Sequence, residues 1–273
     1  MIFLTVTQKI IKDVIVNLQN LFFSYKDDFI FDLMSIENFN NNGARMRFWF
    51  EHARKNLDSI EGDIFEFGVF RGNSLLAMAL LLKKLGSGKK VYAFDTFSGF
   101  PDYSALDNIE MFKSLFEDGI ISKAHYEKHK ILIKMKKIKE SSGVSVSNIS
   151  SSGDFSENSL LDLEKKIELL DLDNIVIVKG KFEDTVPAFF ANTEHQIFSA
   201  NIDCDLYDGY KTVLPYIWKN LSVGGYVHLD EYYSLKFPGA RIACDEFFKE
   251  VGVAPVMNEV PDTEFERWYF TKH

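Results

Sequence analysis

Cysteine and proline are scarce in this chain: 273 residues contain two of the former and six of the latter. Cys204 lies inside an acidic cluster and Cys244 in a helical segment, so neither a disulfide framework nor a Cys-rich zinc site is indicated. A reducing, cytoplasmic setting is the expectation. Positive charge is also in deficit, with 31 Lys and Arg against 40 Asp and Glu and a formal charge of -9. The resulting pI near 5.2 opposes binding to phosphate backbones and argues against nucleic acid as a partner. Long apolar runs are missing too. Met1-Ile2-Phe3-Leu4-Thr5-Val6 is interrupted by Lys9, Lys12 and Asp13 before a signal-peptide core or membrane span can form, so no targeting segment is read.

What the chain does have is apolar material, 46% hydrophobic and 15% aromatic, enough for one substantial core and a single domain over residues 1–273. Residues 1–60 read as an N-terminal helical extension. In it Ile10, Ile11, Val14, Ile15, Leu18, Leu21 and Phe22 share one helical face, suited to packing on the domain or on a second copy in a homo-oligomer. The opposite face is not basic enough to favour a membrane surface. Arg45 to Asn56 forms a further helix.

A strand–helix rhythm follows. Asp63 to Gly68 reads as a strand, Ser74 to Leu85 as an apolar helix stopped by Gly86-Ser87-Gly88, and Val91 to Phe97 as a second strand, which together imply a right-handed parallel unit. The rhythm then lapses in an insertion over 103–159, read as a lid, with basic helical material from Lys123 to Lys139. Its serine-rich stretch Ser147 to Gly153 is expected to bury little and to be disordered or mobile. Order resumes with a helix from Ser159 to Leu170, a strand at Ile175 to Val178, and a turn in which Gly180, Thr185 and Pro187 open another helix. Near the C-terminus, Pro255 to Val260 and Arg267 to Lys272 read as an antiparallel pair around Pro261-Asp262-Thr263.

Between these lie the chain's most telling residues. Ile197 to Ile202 and Tyr226 to Leu229 read as short buried strands, the first ending in Asp203-Cys204-Asp205-Leu206-Tyr207 and the second in Asp230-Glu231. Acids gathered at the C-terminal edge of an open α/β sheet repel one another unless a cation neutralises them, and hard oxygen donors suit Mg²⁺, Mn²⁺ or Ca²⁺. Glu66-Phe67-Gly68-Val69-Phe70-Arg71-Gly72-Asn73-Ser74 joins the first strand to its helix, where glycines admit a ligand and a helix N-terminus favours an anion. Its Gly-x-x-x-Gly spacing departs from the dinucleotide fingerprint. Asp95 ends the second strand and reads equally as an acceptor for ribose hydroxyls or as a turn acid. S-adenosylmethionine (SAM) has a ribose, a carboxylate and a sulfonium that would satisfy both turns.

The ordered set Glu66-Phe67-Gly68-Val69-Phe70-Arg71-Gly72, Phe94-Asp95-Thr96-Phe97, Gly180 to Pro187, Asp203 to Tyr207 and Gly224-Gly225 with Asp230-Glu231-Tyr232 resembles the macrocin O-methyltransferase family, from about Asn41 to Phe248 without most of the insertion. These are SAM- and metal-dependent enzymes that methylate sugar hydroxyls of natural products. The resemblance implies a doubly wound α/β fold of the class I SAM-methyltransferase type, with a mostly parallel seven-stranded sheet. It implies Asp203, Asp230 and Glu231 as ligands of Mg²⁺ or Mn²⁺ and Asp205 as the general base. Glu66, Gly68, Gly72 and Ser74 would surround the methionine end of SAM, Asp95 its ribose and Phe182 its adenine. Glu231 stands where the family usually has Asp, a longer side chain that bears on metal geometry. Phe70 and Asn73 replace a usual Trp and Gly.

An aliphatic hydroxyl needs both polarisation and a proton acceptor to attack at neutral pH, roles that a metal and Asp205 would fill. The expected acceptor is a sugar hydroxyl in a glycoconjugate, polysaccharide precursor or glycosylated metabolite. A phenol or catechol would chelate a metal in the same way. A nicotinamide-dependent oxidoreductase leaves the four acids unexplained, and a non-catalytic SAM-binding module predicts binding without turnover. His228 reads as a hydrogen-bonded core histidine, His125 and His129 as part of a solvated helical face, and Arg241 with Asp245 as a helical pair. Tyr207 reads equally as pocket lining or packing, and Arg71 as the partner of a carboxylate.

Overall fold

In the computed structural model, residues 6–24, 28–139, 143–191, 194–261 and 264–273 are described. The N-terminal region supplies α1 (Val6–Ser24), α2 (Asp28–Met34) and α3 (Arg47–Asn56), followed by β1 (Asp63–Phe67), α4 (Asn73–Lys84) and β2 (Val91–Asp95). The insertion carries a 3₁₀ turn (Ala105–Asp107), α5 (Met111–Glu117) and α6 (Lys123–Lys139). Then come α7 (Leu160–Leu169), β3 (Ile175–Lys179), α8 (Phe182–Ala191), β4 (Ile197–Ile202), α9 (Tyr207–Asn220), β5 (Leu221–Leu229), α10 (Pro238–Val251), β6 (Val256–Met257) and β7 (Trp268–Thr271).

These strands form one sheet of order β3-β2-β1-β4-β5-β7-β6. The pairs from β3 to β5 are parallel, and β7 runs antiparallel to both β5 and β6. Alternation along each strand divides the core into two layers. Ile64 and Phe198 face α3 and α4, whereas Phe65, Phe67, Ala200 and Ile202 face the layer containing α8, α9 and α10. The strand order reverses between β1 and β4, which sets a crevice at their carboxyl ends. No helix among the described residues is long and apolar enough to cross a membrane.

Several expectations are corrected locally. β2 ends at Asp95 because the Asp95 carboxylate accepts the Phe97 amide at 2.6 Å and draws the chain into a turn. Helix α8 opens at Phe182, with Glu183 and Asp184 in its first turn complementing the dipole, so Pro187 lies within it. In α1, Phe22 is buried while Val14 is 58% exposed, so the proposed apolar face is only partly used. The side chains of Ile10 and Ile11 lie outside the described residues, as do Asp262 and Thr263 of the C-terminal turn.

The insertion is ordered against the domain. Ser104 and Asp107 form a capping box, and Asp107 Oδ1 also accepts the Tyr207 amide at 2.8 Å. Within the serine-rich stretch, Ile149 and Ser150 are buried, Ile149 packing with Leu206 and Phe237. Lys136 Nζ donates to the carbonyls of Asn148 and Ser150 at 2.8 and 2.9 Å. That stretch is therefore a packed turn. His125 and His129 are likewise buried, their ring nitrogens meeting the carbonyls of Ser234 and Leu235 at 2.7 and 2.8 Å. Burial holds both imidazoles below their ordinary pKa. They clamp the chain that follows β5, which a solvated face could not do.

Candidate active site

Backbone hydrogen bonds bring the three central strand ends together. Asp203 N donates to Phe67 O at 2.8 Å and Asp230 N to Ile202 O at 3.0 Å, so the chain leaving β1, β4 and β5 passes side by side along one edge. Gly68 adopts φ +89°, and a Cβ there would lie 1.8 Å from Asp203 O. The glycine is required by this close passage of two chains as well as by any ligand.

Four acids converge at that edge. Asp203, Asp205 and Glu231 can each offer a carboxylate oxygen within 4.8 Å of the others. Glu231 is drawn into this group by Tyr210, whose hydroxyl lies 2.8 Å from Glu231 Oε2 and 3.2 Å from its amide nitrogen. Asp230, which the sequence grouped with Asp203 and Glu231, turns to a different cation. Arg45 Nη1 lies 2.6 Å from Asp230 Oδ2 and 3.1 Å from Asp203 Oδ2, and Nη2 meets the same Asp203 oxygen at 3.1 Å. Arg45 Nε stands 3.9 Å from Glu37 Oε2. Asp205 occupies the left-handed region at φ +59°, with Leu206 N donating to Cys204 O at 2.6 Å across it. Asp tolerates this region better than most side chains, and the conformation turns its carboxylate toward the other acids.

The electrostatics follow from crowding. Burial and Asp230 raise Asp203, with Arg45 offsetting part of the effect. Burial, with Asp203 and Asp230, pushes Asp205 well above the usual carboxylate range, and burial with Asp203 and Asp205 does the same to Glu231. Asp230 moves the other way: burial opposes its charge, but the Arg45 guanidinium outweighs it. Burial likewise works against the charge on Arg45, and Asp230, Asp203 and Glu37 overcome it. His228 Nε2 is 3.7 Å from Asp230 Oδ1, too long for a hydrogen bond, and both atoms are buried without partners among the described residues. His228 Nδ1 faces the Tyr226 hydroxyl at 3.4 Å, which matches a core role. The spare oxygen on Asp230 and the hard donor set beside it fit Mg²⁺ or Mn²⁺, with Asp203, Asp205 and Glu231 as the nearest group and Asp230 adjoining.

The turn after β1 forms the other half of the site. Glu66 is fully buried, accepting from Ser74 Oγ and, at 3.0 Å, from Asn201 Nδ2, while its Oε2 has no partner among the described residues. Burial pushes its pKa up to about 8 despite those two hydrogen bonds. Asp95 Oδ2 accepts the amides of Val69 and Phe70 at 2.7 and 2.9 Å, fixing the glycine-containing turn. Both earlier readings of Asp95 stay compatible, because it braces the turn and also lines the cavity. Gly72 caps α4 at φ +81°, and its missing side chain leaves room for Leu163 of α7, whose Cδ1 would meet a Cβ at 2.4 Å. Phe182 lines the cavity and packs edge-on against Phe67.

A cavity of about 860 Å³ joins the two halves, reaching from Gly68, Ser74 and Asp95 to the four acids. Its far wall includes Ser150, Tyr233, Phe237 and Phe265, and Tyr233 packs edge-on against Phe265 at 4.9 Å. Arg71 lies on this cavity too, donating to the Glu157 carbonyl at 3.2 Å instead of to a carboxylate. The hydroxyl of Tyr207 is turned to Glu246 at 2.8 Å. Sequence reasoning missed Arg45, whose partners lie 158 and 185 residues away. No local pattern marks such a contact.

A crevice at the switch between β1 and β4, walled by a glycine turn and strand-end acids, is the architecture of class I SAM O-methyltransferases. The fold aligns with a solved calicheamicin methyltransferase, CalS11, at a TM-score of 0.60 and 20% identity, over 99% of this chain and 94% of the other. It aligns with the O-methyltransferase NovP at 0.56 and 20%, over 81% and 75%. The chain belongs to the macrocin-O-methyltransferase (TylF) family, whose model matches residues 44–128 and 134–268. It is 24% identical over 207 residues to the 8-demethyl-8-(2,3-dimethoxy-alpha-L-rhamnosyl)-tetracenomycin-C 4'-O-methyltransferase of Streptomyces olivaceus, covering 76% of this chain and 65% of that protein. It is 26% identical over 198 residues to the demethyldecarbamoylnovobiocin O-methyltransferase of Streptomyces niveus, covering 72% and 62%. The chain thus spans less than two thirds of the length of these curated relatives.

Proposed function

We propose that the protein is a SAM-dependent, Mg²⁺-assisted O-methyltransferase acting on a hydroxyl of a sugar unit. The observation that carries this reading is the cavity that reaches from Gly68, Ser74 and Asp95 to the Asp203, Asp205, Asp230 and Glu231 carboxylates. The rhamnosyl unit in the name of the Streptomyces olivaceus relative favours a saccharide over a phenol.

SAM supplies a methyl group on a sulfonium, and a divalent cation would supply Lewis acidity toward the acceptor oxygen. The chain's own residues do the rest. Gly68 and Ser74 border the methionine end, with the buried Glu66 carboxyl holding Ser74 in place from behind, and Asp95, which lines the cavity, accepts from a ribose hydroxyl. Phe182 offers a face to the adenine. Asp203, Glu231 and Asp230 would hold the cation, and Arg45 fixes Asp230 from the other side at 2.6 Å. Asp205, desolvated by burial, takes the proton from the acceptor hydroxyl as the methyl group moves. Phe237, Tyr233 and Phe265 exclude water on the acceptor side. Transfer discharges the sulfonium, so orientation of the two reactants within about 3 to 3.5 Å is the main demand on the protein.

The test is calorimetric titration of SAM and S-adenosylhomocysteine (SAH) with and without Mg²⁺, followed by a screen of glycosides and phenols as acceptors. Binding of neither nucleoside overturns the proposal. Turnover that survives both EDTA and Asp203→Ala removes the metal from it.

A further inference from the structure

The C-terminal hairpin sets a second guanidinium beside the acids. Leu229 pairs with Trp268, so Asp230 and Arg267 stand opposite each other one step beyond the last antiparallel pair. Arg267 lines the cavity, half-buried, and its Nε is buried without a hydrogen-bond partner among the described residues.

Asp230 and Glu37 attract Arg267 through space, but neither they nor the acids of the hairpin hydrogen-bond to it among the described residues; Glu37 accepts the Met46 amide at 2.9 Å. Asp230 Oδ2 is held by Arg45 at 2.6 Å, Glu264 by Arg47 at 2.6 Å, and Glu266 accepts from Trp268 Nε1 at 2.9 Å. The Phe265 ring lies 5.3 Å from the guanidinium carbon and supports it from one side. Lys236 lines the same cavity, and its ammonium makes no ion pair or hydrogen bond among the described residues. Two half-buried cations that face one cavity with donors unused among the described residues leave those donors for a ligand. The sheet order decides which ligand. Asp95 ends β2 and Arg267 precedes β7, on opposite sides of the acids that end β4 and β5. A nucleoside held at Asp95 therefore leaves Arg267 on the acceptor's side.

We propose that Arg267, aided by Lys236, forms an oxyanion subsite, so that the methyl acceptor carries a carboxylate or phosphate group close to the hydroxyl that reacts. This inference rests on the O-methyltransferase reading. The planar guanidinium fork matches either oxyanion, which a uronic acid or the diphosphate of a nucleotide-linked sugar would provide.

The deciding experiment is calorimetric titration of the SAH-loaded protein with inorganic pyrophosphate, with glucuronate and with glucose, omitting divalent cations so that no metal bridges the anion. The expected result is that at least one anion binds and glucose does not. Its affinity falls ten-fold or more in Arg267→Gln, is partly kept in Arg267→Lys and falls less in Lys236→Gln, while SAH affinity is unchanged. Preference for pyrophosphate identifies a nucleotide-linked sugar; preference for glucuronate identifies a uronate. Equal anion affinity in Arg267→Gln, or no anion binding by wild-type protein that binds SAH, overturns the subsite. Absence of SAH binding overturns the methyltransferase reading alone, and the same titrations on nucleoside-free protein then decide the subsite.

Discussion

Arg45 and Asp230 are joined by a 2.6 Å ion pair across 185 residues of sequence, at the point where four carboxylates meet. The guanidinium supplies a positive charge to a cluster that lacks any other direct counter-ion among the described residues. It also occupies an oxygen that a divalent cation would use. Arg45→Gln is expected to destabilise the metal-free protein by about 1–2 kcal/mol, a modest figure because the Arg45 side chain is 35% exposed and screened by solvent. Millimolar Mg²⁺ should restore much of that loss. Thermal melts with EDTA and with Mg²⁺ check this; equal losses in both conditions contradict it.

Glu66 gives stability a pH dependence. Its folded pKa of about 8 lies above the ordinary 4.5, so between these values the native state holds a proton that the unfolded chain releases. Its contribution is full below pH 4.5 and is lost as pH rises through 8, by at most ~5 kcal/mol. Glu66→Gln removes this slope. Urea unfolding at pH 5 and pH 8.5 should show the variant gaining on wild type at the higher pH, and a difference independent of pH would refute the assignment.

Gly68 tests the crossing of the β1 and β4 chain ends. Gly68→Ala would put a methyl group 1.8 Å from Asp203 O, at a backbone φ of +89°, and is expected to cost ~3 kcal/mol or more, moving Asp203 with it. Gly119→Ala, at φ +72° with nothing within 4 Å of the added carbon, should cost only about 1–2 kcal/mol. Similar melting temperatures for the two variants would show that the β1 end can shift freely.

Asp205 is the proposed proton acceptor. Asp205→Asn should lower kcat by roughly 10²- to 10⁴-fold while leaving SAH affinity within a factor of two or three. A variant with unimpaired turnover would assign the proton to another group. Because the residue sits at positive φ, where Asn is well tolerated, the substitution should leave the fold intact.

Much of the frame was legible before folding was considered. The β1, β3, β4 and β5 segments carry apolar runs whose length marks them as strands, those of β4 and β5 as buried ones, and Asp203, Asp205, Asp230 and Glu231 sit at the ends of β4 and β5 by position alone. Strand and helix alternation implied parallel units, and the doubly wound arrangement came with the resemblance to the macrocin O-methyltransferase family. The insertion was less readable. His125 and His129 look solvated among lysines, yet they are buried against Ser234 and Leu235, because a helix face shows its environment only when the chain it covers is known. The serine-rich turn was misread for the same reason: Ile149 finds its apolar partners in Leu206 and Phe237, which are far along the chain.

The sequence by itself determined the fold class, the glycine turn after β1 and the gathering of acids at one sheet edge, since these depend on local periodicity and on which residues end each strand. Only the tertiary structure decided how those acids are shared. Asp230 faces Arg45, Glu231 is held beside Asp203 and Asp205 by Tyr210, and Arg267 Nε is left without a hydrogen-bond partner among the described residues. Charge pairing acts through space over a few ångströms, and which ions come that close is set by the packing of segments that the linear chain keeps far apart.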